Sequence, residues 1–474
     1  MPATAFDAMT PQPLKCYQIA YQSDVMRYFE RIRHLPDCIL LDSGAPHAEG
    51  GRFDIMSASP QAILETDRYG IARCTQFPDI PVDPLQAQRA LLRRLHIKVR
   101  DFPEHLPFKG GLLGFWSYEF SKMIEKLPRR TPTDLAQELN DVPLARLGLY
   151  DWAITLDHHR REAWLVASHE RRQEVLALIN APDTAEPSPP PFNIQSRFEP
   201  VWSYEQYQHA FDRIQHYIRE GDCYQVNLTQ RFNAPYAGDL WSAYRHLRTQ
   251  TPAPFSAYLH WHNAGEETAI LSVSPERFIQ VKQGVVMAQP IKGTQPRGKT
   301  PEEDARNAKV LEESSKDRAE NVMIVDLLRN DLGHVCAPGT VRVPMLTKRI
   351  GYANVHHLVS TITGTLDARH STFDVFTAAY PGGSITGAPK IRAMEIIEEL
   401  EPYQRSAYCG AIGYIDVRQQ MDLSIAIRTA VAHKGMLYVW GGGGIVDDSR
   451  ASEEYAESLA KIRHLMNVLE TTLT

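Results

Sequence analysis

Short apolar runs in this sequence come in clusters, and the helical stretches fall between clusters instead of after every run. Cys38-Ile-Leu-Leu-Asp42 and Ala163-Trp-Leu-Val-Ala167 stand in the first part of the chain, with glycine turns such as Gly110-Gly-Leu-Leu-Gly114 between them. Runs at 255–259, 268–273 and 284–288 follow one another closely further on. Parallel strands need a crossover of a dozen or more residues, so this order argues against βαβ winding. It predicts an α+β fold with large antiparallel sheets. Helices are predicted over 203–219, ended by Gly221, and near 301–330, 389–400 and 452–470, and no internal repeat is found.

The sharpest change of composition lies at 181–200, APDTAEPSPPPFNIQSRFEP, which reads as a stiff extended connector. The expected organisation is an N-terminal subdomain over 1–180, the proline-rich linker over 181–200 and a larger domain over 201–474. The chain carries a net charge of −6, which argues against nucleic acid as its main partner. No apolar run approaches the roughly 18–20 residues of a membrane span, and MPATAFDAMT lacks a signal-peptide pattern. Six scattered cysteines without a C-x-x-C pair read as buried thiols, so a reducing, cytoplasmic setting is expected.

Gly293-Thr-Gln-Pro-Arg-Gly298-Lys299-Thr300 matches the phosphate-binding pattern G-x-x-x-x-G-K-[ST]. Its context opposes that use. Pro301 pushes Thr300 out of the α region, and Pro296 removes a backbone donor. Glu302, Glu303 and Asp304 suit a helix first turn and would repel a triphosphate. The match is therefore read as a coincidence.

Two acidic helices draw attention instead. In 452–470 the residues Tyr455, Leu459, Ile462, Met466 and Leu469 share a core face, and Glu454, Glu457 and Lys461 form a stripe beside it. Such a stripe is either a solvated edge or part of a site. The segment 321–328 is apolar nearly all round and is predicted to be buried, with Glu320 on its inner face and Asp317 a turn back. A carboxylate there needs a cation. Acids on two helices, leaving coordination positions for water and substrate, suit Mg²⁺. Gly441-Gly-Gly-Gly444 reads as a turn or as a backbone that a ligand approaches closely, and Arg428 as strand surface or as a buried carboxylate clamp. Together these residues suggest a Mg²⁺ enzyme for a small anionic substrate, with Lys292 as base or nucleophile.

Seven ordered stretches carry a resemblance: Ser274-Pro-Glu-Arg-Phe278, Pro290-Ile-Lys-Gly-Thr294, Asp317-Arg-Ala-Glu-Asn321, Asp326-Leu-Leu-Arg-Asn-Asp331, His357-Leu-Val-Ser360, Gly383-Ser-Ile-Thr-Gly-Ala-Pro-Lys390 and Gly442-Gly-Gly-Ile-Val446. The chain resembles the chorismate-utilising enzymes, which include anthranilate, isochorismate, salicylate and aminodeoxychorismate synthases. The resemblance spans nearly the whole chain. It implies an α/β sandwich of antiparallel sheets flanked by helices, as in anthranilate synthase component I, with chorismate and Mg²⁺ bound between them. Anthranilate synthases carry alanine in the middle of P-I-x-G-T, and the aminodeoxychorismate-forming branch carries lysine, as here at Lys292.

For that branch the implied reaction has the Lys292 amine attack C2 of chorismate as the C4 hydroxyl leaves. Ammonia then adds at C4 and expels the lysine, giving 4-amino-4-deoxychorismate for p-aminobenzoate and folate synthesis. By matching motif positions, Glu276 is implied as general acid or base and His357 as a neighbour of the leaving group. Glu320 and Glu457 are implied as magnesium ligands, supported by Asp317 and Glu454. Thr294, Gly293, Ser384, Tyr408, Arg428, Gly442, Gly444 and Lys461 are implied to hold the substrate. The family draws ammonia from a separate glutamine amidotransferase subunit, so a heterodimeric partner is expected. Leu40-Leu-Asp-Ser43 resembles the L-L-E-S effector segment of anthranilate synthases, making Ser43 a candidate contact for tryptophan. The alternative readings are anthranilate synthesis, or isochorismate or salicylate synthesis with water in place of ammonia.

Overall fold

The computed structural model describes residues 13–45, 47, 51–95, 102–127, 138–182, 189–263, 265–351 and 355–472. The start 1–10 and part of the expected linker, 183–188, lie outside the described residues. Along the chain come the strands Cys38–Asp42 (β1) and Gly111–Trp116 (β2), the helix Tyr204–Arg219 (α1), and the strands Gln225–Ala237 (β3), Phe255–Asn263 (β4), Glu266–Ser274 (β5), Arg277–Lys282 (β6) and Ile291–Pro296 (β7). Two helices follow, Pro301–Glu313 (α2) and Ser315–Gly333 (α3), then the strand Val355–Thr365 (β8) and the helix Lys390–Leu400 (α4). The strands Ala411–Asp416 (β9), Thr429–His433 (β10) and Met436–Ile445 (β11) lead to the last helix, Ala451–Glu470 (α5).

Two large sheets result. The first has 13 strands and runs through Lys15–Ile19, Glu162–Ala167, Ala153–Asp157, Phe53–Ser57, β1, β4, β5, β10, β11 and β3. The second has 11 strands and runs from β7 through β8, Val285–Ala288, β6, Met421–Ile425, β9 and β2 to Ala145–Tyr150, Ala62–Thr66 and Ala72–Arg73. Neighbouring strands pair antiparallel, as in β4 with β5 and β3 with β11. The expected antiparallel α+β sandwich is borne out.

Successive strand residues enter different cores. Ile39, Leu259 and Ile270 pack between the sheets with Phe115, Ile279 and Ile412. Their neighbours Leu40, Tyr258 and Leu271 pack on the opposite face under Trp241, Tyr244, Ile462 and Leu465. Both faces of the first sheet are covered, which is why its strands read as continuous apolar runs and not as alternation.

The composition break at 181–200 does not divide the sheets, because each sheet joins a block of strands from before it to a block from after it, at the pairing of β1 with β4 in the first and of β2 with β9 in the second. The described second half of that segment is extended but strand-paired, with Asn193–Ile194 and Glu199–Pro200 both on β3. The glycine turn expected at 110–114 is instead part of β2, which pairs with β9 at the middle of the second sheet. The helix expected near 301–330 is two helices meeting at Ser314, which caps the second by accepting from the Asp317 N–H. Val322 on α3 is 45% exposed, so that helix is not buried all round as its apolar run suggests.

A buried ion pair ties the layers together. The Arg405 guanidinium, 1% exposed, donates to Glu401 at 2.7 and 2.8 Å, to the Ile385 carbonyl at 2.8 Å and to the Asn227 carbonyl at 2.7 Å. Glu401 also accepts the N–H and hydroxyl of Thr229 on β3, both at 2.9 Å. Breaking one half of such a pair leaves a buried uncompensated charge and costs about 3–5 kcal/mol. Arg405→Met is therefore expected to lower the urea unfolding midpoint by the equivalent of about that amount, whereas an exposed control such as Arg450→Met should shift it by less than about 0.5 kcal/mol.

Candidate active site

Lys292 stands at the start of β7, where the pairing with β8 slips by one residue between Lys292 and Thr294. Gly293 forms the bulge at a φ of +73°, and a Cβ there would fall 2.8 Å from Leu311 and 2.9 Å from the Asp317 carboxyl carbon. Only glycine fits that conformation and that approach. The bulge brings Lys292 to α3, where its ammonium lies 3.3 Å from a Glu320 oxygen. Asp317 packs against the bulge itself, one turn before Glu320.

Beneath this stretch lies Glu276, 4% exposed. Its Oε1 accepts from the Ser384 hydroxyl at 2.9 Å and faces the Ile291 N–H at 3.4 Å. Burial pushes its carboxyl up to about 7, against the Ser384 hydrogen bond and the positive charge of Lys292. A carboxyl poised there exchanges a proton readily near neutral pH. His357, on β8, has Nδ1 at 2.9 Å from the Thr294 hydroxyl and 3.3 Å from the Gly293 carbonyl. Burial, aided by the charges of Arg428 and His356, holds its imidazole down at about 4, so it is neutral near pH 7.

The second acidic helix, α5, packs across β11. The four glycines of 441–444 are not a turn but the end of this strand, with Asn227 opposite Gly444 and Thr229 opposite Gly442 on β3. On the other side β10 pairs only with 436–439. Among the described residues, the edge beyond Val439 has no strand partner there. A Cβ on Gly443 would lie 3.2 Å from Glu454 Oε2 and 3.4 Å from Lys461 Nζ, so the bare backbone is what lets these charged groups approach. Lys461 donates to the Gly442 carbonyl at 3.1 Å and pairs with Glu457 at 2.8 Å. Glu454 is buried at 3% exposure, bound by Lys316 at 3.2 Å and by the Ser449 hydroxyl at 2.6 Å. The core face of α5 is thus rotated from the predicted one: Glu454, Ser458 and Leu465 are buried, and Tyr455, Leu459 and Met466 only half-buried.

Acids of the two helices share cations. The Glu320, Glu454 and Glu457 carboxylates together raise Lys316, and Lys461, Lys316 and Lys292 together bring the half-exposed Glu457 below its usual range against its partial desolvation. These oxygens do not form a group of three within 4.8 Å of one another, and Lys292 and Lys316 are ion-paired with Glu320 and Glu454. The donor set is all carboxylate oxygen, which fits a hard divalent cation such as Mg²⁺.

Arg428 lies between strands at a φ of +53°, neither on strand surface nor paired with any carboxylate among the described residues. Burial draws its guanidinium below the usual range, with the nearby Tyr408 phenol as the main opposing influence. The Tyr408 ring is itself buried and stacked on Trp440 at 5.9 Å. A half-buried guanidinium without a carboxylate partner suits an anionic ligand.

Several residues of this region were not singled out in the sequence. Gln225 is fully buried with neither side-chain polar atom satisfied, and Asn227 Oδ1 beside it is also unpartnered. A Cβ on Gly444 would meet the Gln225 amide at 2.6 Å, which places that amide against the glycine strand. Lys316, which precedes Asp317 directly, pairs with the buried Glu454. No spacing rule marks these three; only the pairing of β3 with β11, and of α3 with α5, brings them in.

The phosphate-loop pattern is absorbed by local structure. Thr300 caps α2 by accepting from the Glu303 N–H at 3.2 Å, and the Gly298 N–H is taken by Asp304 at 2.8 Å. Ser43 lies apart from the catalytic region, and its hydroxyl and N–H both donate to Asp54 at 2.7 Å. Near it a cavity of about 320 Å³ opens between the sheets, lined by Leu41, Asp42, Phe53, Phe255, Arg277 and Asp422 among others. The six cysteines are unpaired, and burial pushes Cys38 and Cys409 up to about 12.

Comparison with known proteins adds four findings. Residues 38–467 match the family of chorismate binding enzymes. Aminodeoxychorismate synthase component 1 of Klebsiella aerogenes is 45% identical over 450 residues, covering 94% of this chain and 96% of that protein. The protein of the same name from Escherichia coli strain K12 is 43% identical over 447 residues, covering 94% and 95%. The crystal structure of anthranilate synthase component I from Streptococcus pneumoniae TIGR4 superposes with a TM-score of 0.75 at 28% identity, covering 88% of this chain and 92% of that one.

The raised Glu276 has a consequence for stability. The native state binds its proton more tightly than the unfolded chain does, so ionisation weakens the fold. That penalty is absent below about pH 4.5, grows between the ordinary and the raised value, and is complete above about pH 7. Glu276→Gln removes it. The variant is expected to gain on the order of 3 kcal/mol relative to wild type at pH 8, but little at pH 4.5, in urea unfolding at the two pH values.

Proposed function

The chain belongs to the chorismate binding enzymes, and from that premise we propose that it acts as an aminodeoxychorismate synthase component 1, converting chorismate and ammonia to 4-amino-4-deoxychorismate. The single observation that carries this reading is Lys292 on its glycine bulge, held beside Glu276 and Glu320. The names of the relatives at 43–45% identity support the same choice.

In this reading Lys292 is the nucleophile at C2 of chorismate. A lysine amine attacks only without its proton. Lys292 Nζ donates to Glu320 at 3.3 Å, and the attack requires that contact to be given up. Glu276, with its carboxyl near 7, is placed to take and return protons as the C4 hydroxyl departs and ammonia arrives. His357, neutral near pH 7, serves as a hydrogen-bonding neighbour of the leaving oxygen and not as a cationic acid. Arg428, Lys461 and the free edge of the glycine strand hold the substrate carboxylates, with Thr294, Ser384, Tyr408 and Gln225 shaping the pocket. Glu320 and Glu457, supported by Glu454 and Asp317, would hold Mg²⁺, which when bound supplies positive charge for a substrate carboxylate.

Ammonia comes from a glutamine amidotransferase partner in this reading. A glutaminase needs an activated thiolate, and burial keeps all six thiols of this chain above their ordinary value. The cavity beside Leu41 and Asp42 supports tryptophan as an effector, since it joins apolar walls to charged groups such as Arg277 and Asp422.

The test is product analysis. Purified chain with chorismate, Mg²⁺ and an ammonium salt at mildly alkaline pH is expected to give aminodeoxychorismate without pyruvate. Lys292→Ala should reduce the rate at least about 100-fold. Anthranilate with pyruvate, or a hydroxylated product indifferent to ammonia, overturns the assignment. Separately, Glu320→Gln or Glu457→Gln should raise the Mg²⁺ concentration needed for half-maximal rate by at least about tenfold, measured by titrating Mg²⁺ into EDTA-treated protein.

A further inference from the structure

A second cluster of ligating side chains lies on the hairpin formed by β4 and β5. His260 and His262 are two apart on β4, so both imidazoles stand on one face of the sheet while Trp261 between them enters the core. Glu267 on β5 is the direct cross-strand partner of His262 and the diagonal neighbour of His260, whose own partner is Ala269. The three therefore share one face by register alone. Their ligand atoms all lie within 4.8 Å of one another, and among the described residues this is the one group of three or more histidine, cysteine or acidic side chains that does.

The details favour a bound cation over a simple surface ion pair. His260 Nε2 is 2.9 Å from Glu267 Oε1, and the two imidazole rings stand 5.0 Å apart at 87°. The other Glu267 oxygen accepts from the Tyr236 hydroxyl at 3.5 Å, and the His260 ring lies parallel to that of Tyr258, 6.2 Å away. Outer contacts of this kind orient ligands before a metal arrives. Side-chain exposure is 17% for His260 and 38% for Glu267, so the group opens to solvent on one side and has an entry path. Its partners, Tyr236 and Tyr258, are not residues of the catalytic region.

We infer that His260, His262 and Glu267 form a binding site for a divalent transition-metal ion, zinc by preference, separate from the Mg²⁺ carboxylates. Two imidazoles and one carboxylate are a ligand set for zinc, copper, nickel or cobalt and not for Mg²⁺, which takes oxygen donors. Three protein ligands leave a fourth position for water or for a further donor. The three ligand atoms already lie within 4.8 Å of one another, and an ion held by them cross-links β4 to β5 beside the hairpin turn, where His262 pairs with Glu267. The site does not depend on the reaction proposed for the chain.

The experiment is a zinc titration of the full chain by isothermal calorimetry with Mg²⁺ in excess, repeated with Co²⁺ while following its visible absorption. Wild type is expected to bind one equivalent of zinc at micromolar concentration or below, to show the visible bands of four-coordinate Co²⁺, and to melt at a higher temperature with zinc than without. His262→Asn, at an exposed position, should weaken binding at least about tenfold and remove the Co²⁺ bands while Mg²⁺-supported activity stays unchanged. Glu267→Gln provides the same comparison should the first variant fold poorly. Absence of saturable binding in wild type, or equal stoichiometry and affinity in both variants, overturns the site.

Discussion

The Arg405–Glu401 pair is the contact on which the arrangement of the site rests. Its guanidinium spends its donors on Glu401, on Asn227 of β3 and on Ile385 next to Ser384. Glu401 in turn fixes Thr229, the residue opposite Gly442. The backbone N–H of Arg405 reaches Glu119, just beyond β2, at 2.7 Å. One ion pair therefore sets the glycine strand, the loop that carries Ser384 and a segment from the N-terminal part in common register. Charges so buried are costly, and the hydrogen bonds named here fall on backbone or on other buried groups. A network of that kind gives a single geometry where apolar packing alone would tolerate several.

Within that frame the catalytic region is organised by competition among charges. Lys292, Lys316 and Lys461 stand among Glu320, Glu454 and Glu457, and each ammonium has a carboxylate within 3.3 Å. Glu276 lies apart from these acids, where burial makes it the carboxyl that titrates near neutrality. The ion-paired acids therefore suit cation binding, and the buried Glu276 suits proton transfer. The glycines serve both: Gly293 brings Lys292 to α3, and Gly443 lets α5 close on the strand.

Sequence patterns and tertiary context disagree most instructively at 293–300. The letters match a nucleotide-binding loop, but the Gly298 N–H and the Thr300 hydroxyl are consumed in starting α2. The same local rules that make a phosphate loop, glycine freedom and a helix N-terminus, here make a capped helix, because Pro301 and three acids follow. The pattern at 441–444 erred in the other direction. Four glycines suggest a turn, yet they are strand, since β3 supplies one edge of hydrogen bonds and α5 needs the close approach.

The sequence by itself determined the α+β class, through clustered apolar runs, and the helices near 203–219, 301–330, 389–400 and 452–470, but not those at 84–94, 169–179, 240–250 and 372–379. It also marked Lys292, Glu276 and Glu320 as candidates, because those residues stand in ordered motifs, and Glu457, which stands in the charged stripe of the last helix. Local periodicity could not settle the rest. The break at 181–200 looked like a boundary, but strands on both sides of it share each sheet, and pairing between strands far apart in sequence leaves no local trace. Gln225, Asn227 and Lys316 owe their place to such pairings. So do the burial of Glu454 and the grouping of His260, His262 and Glu267, because register and helix packing, which act across long sequence separations, decide which side chains face one another.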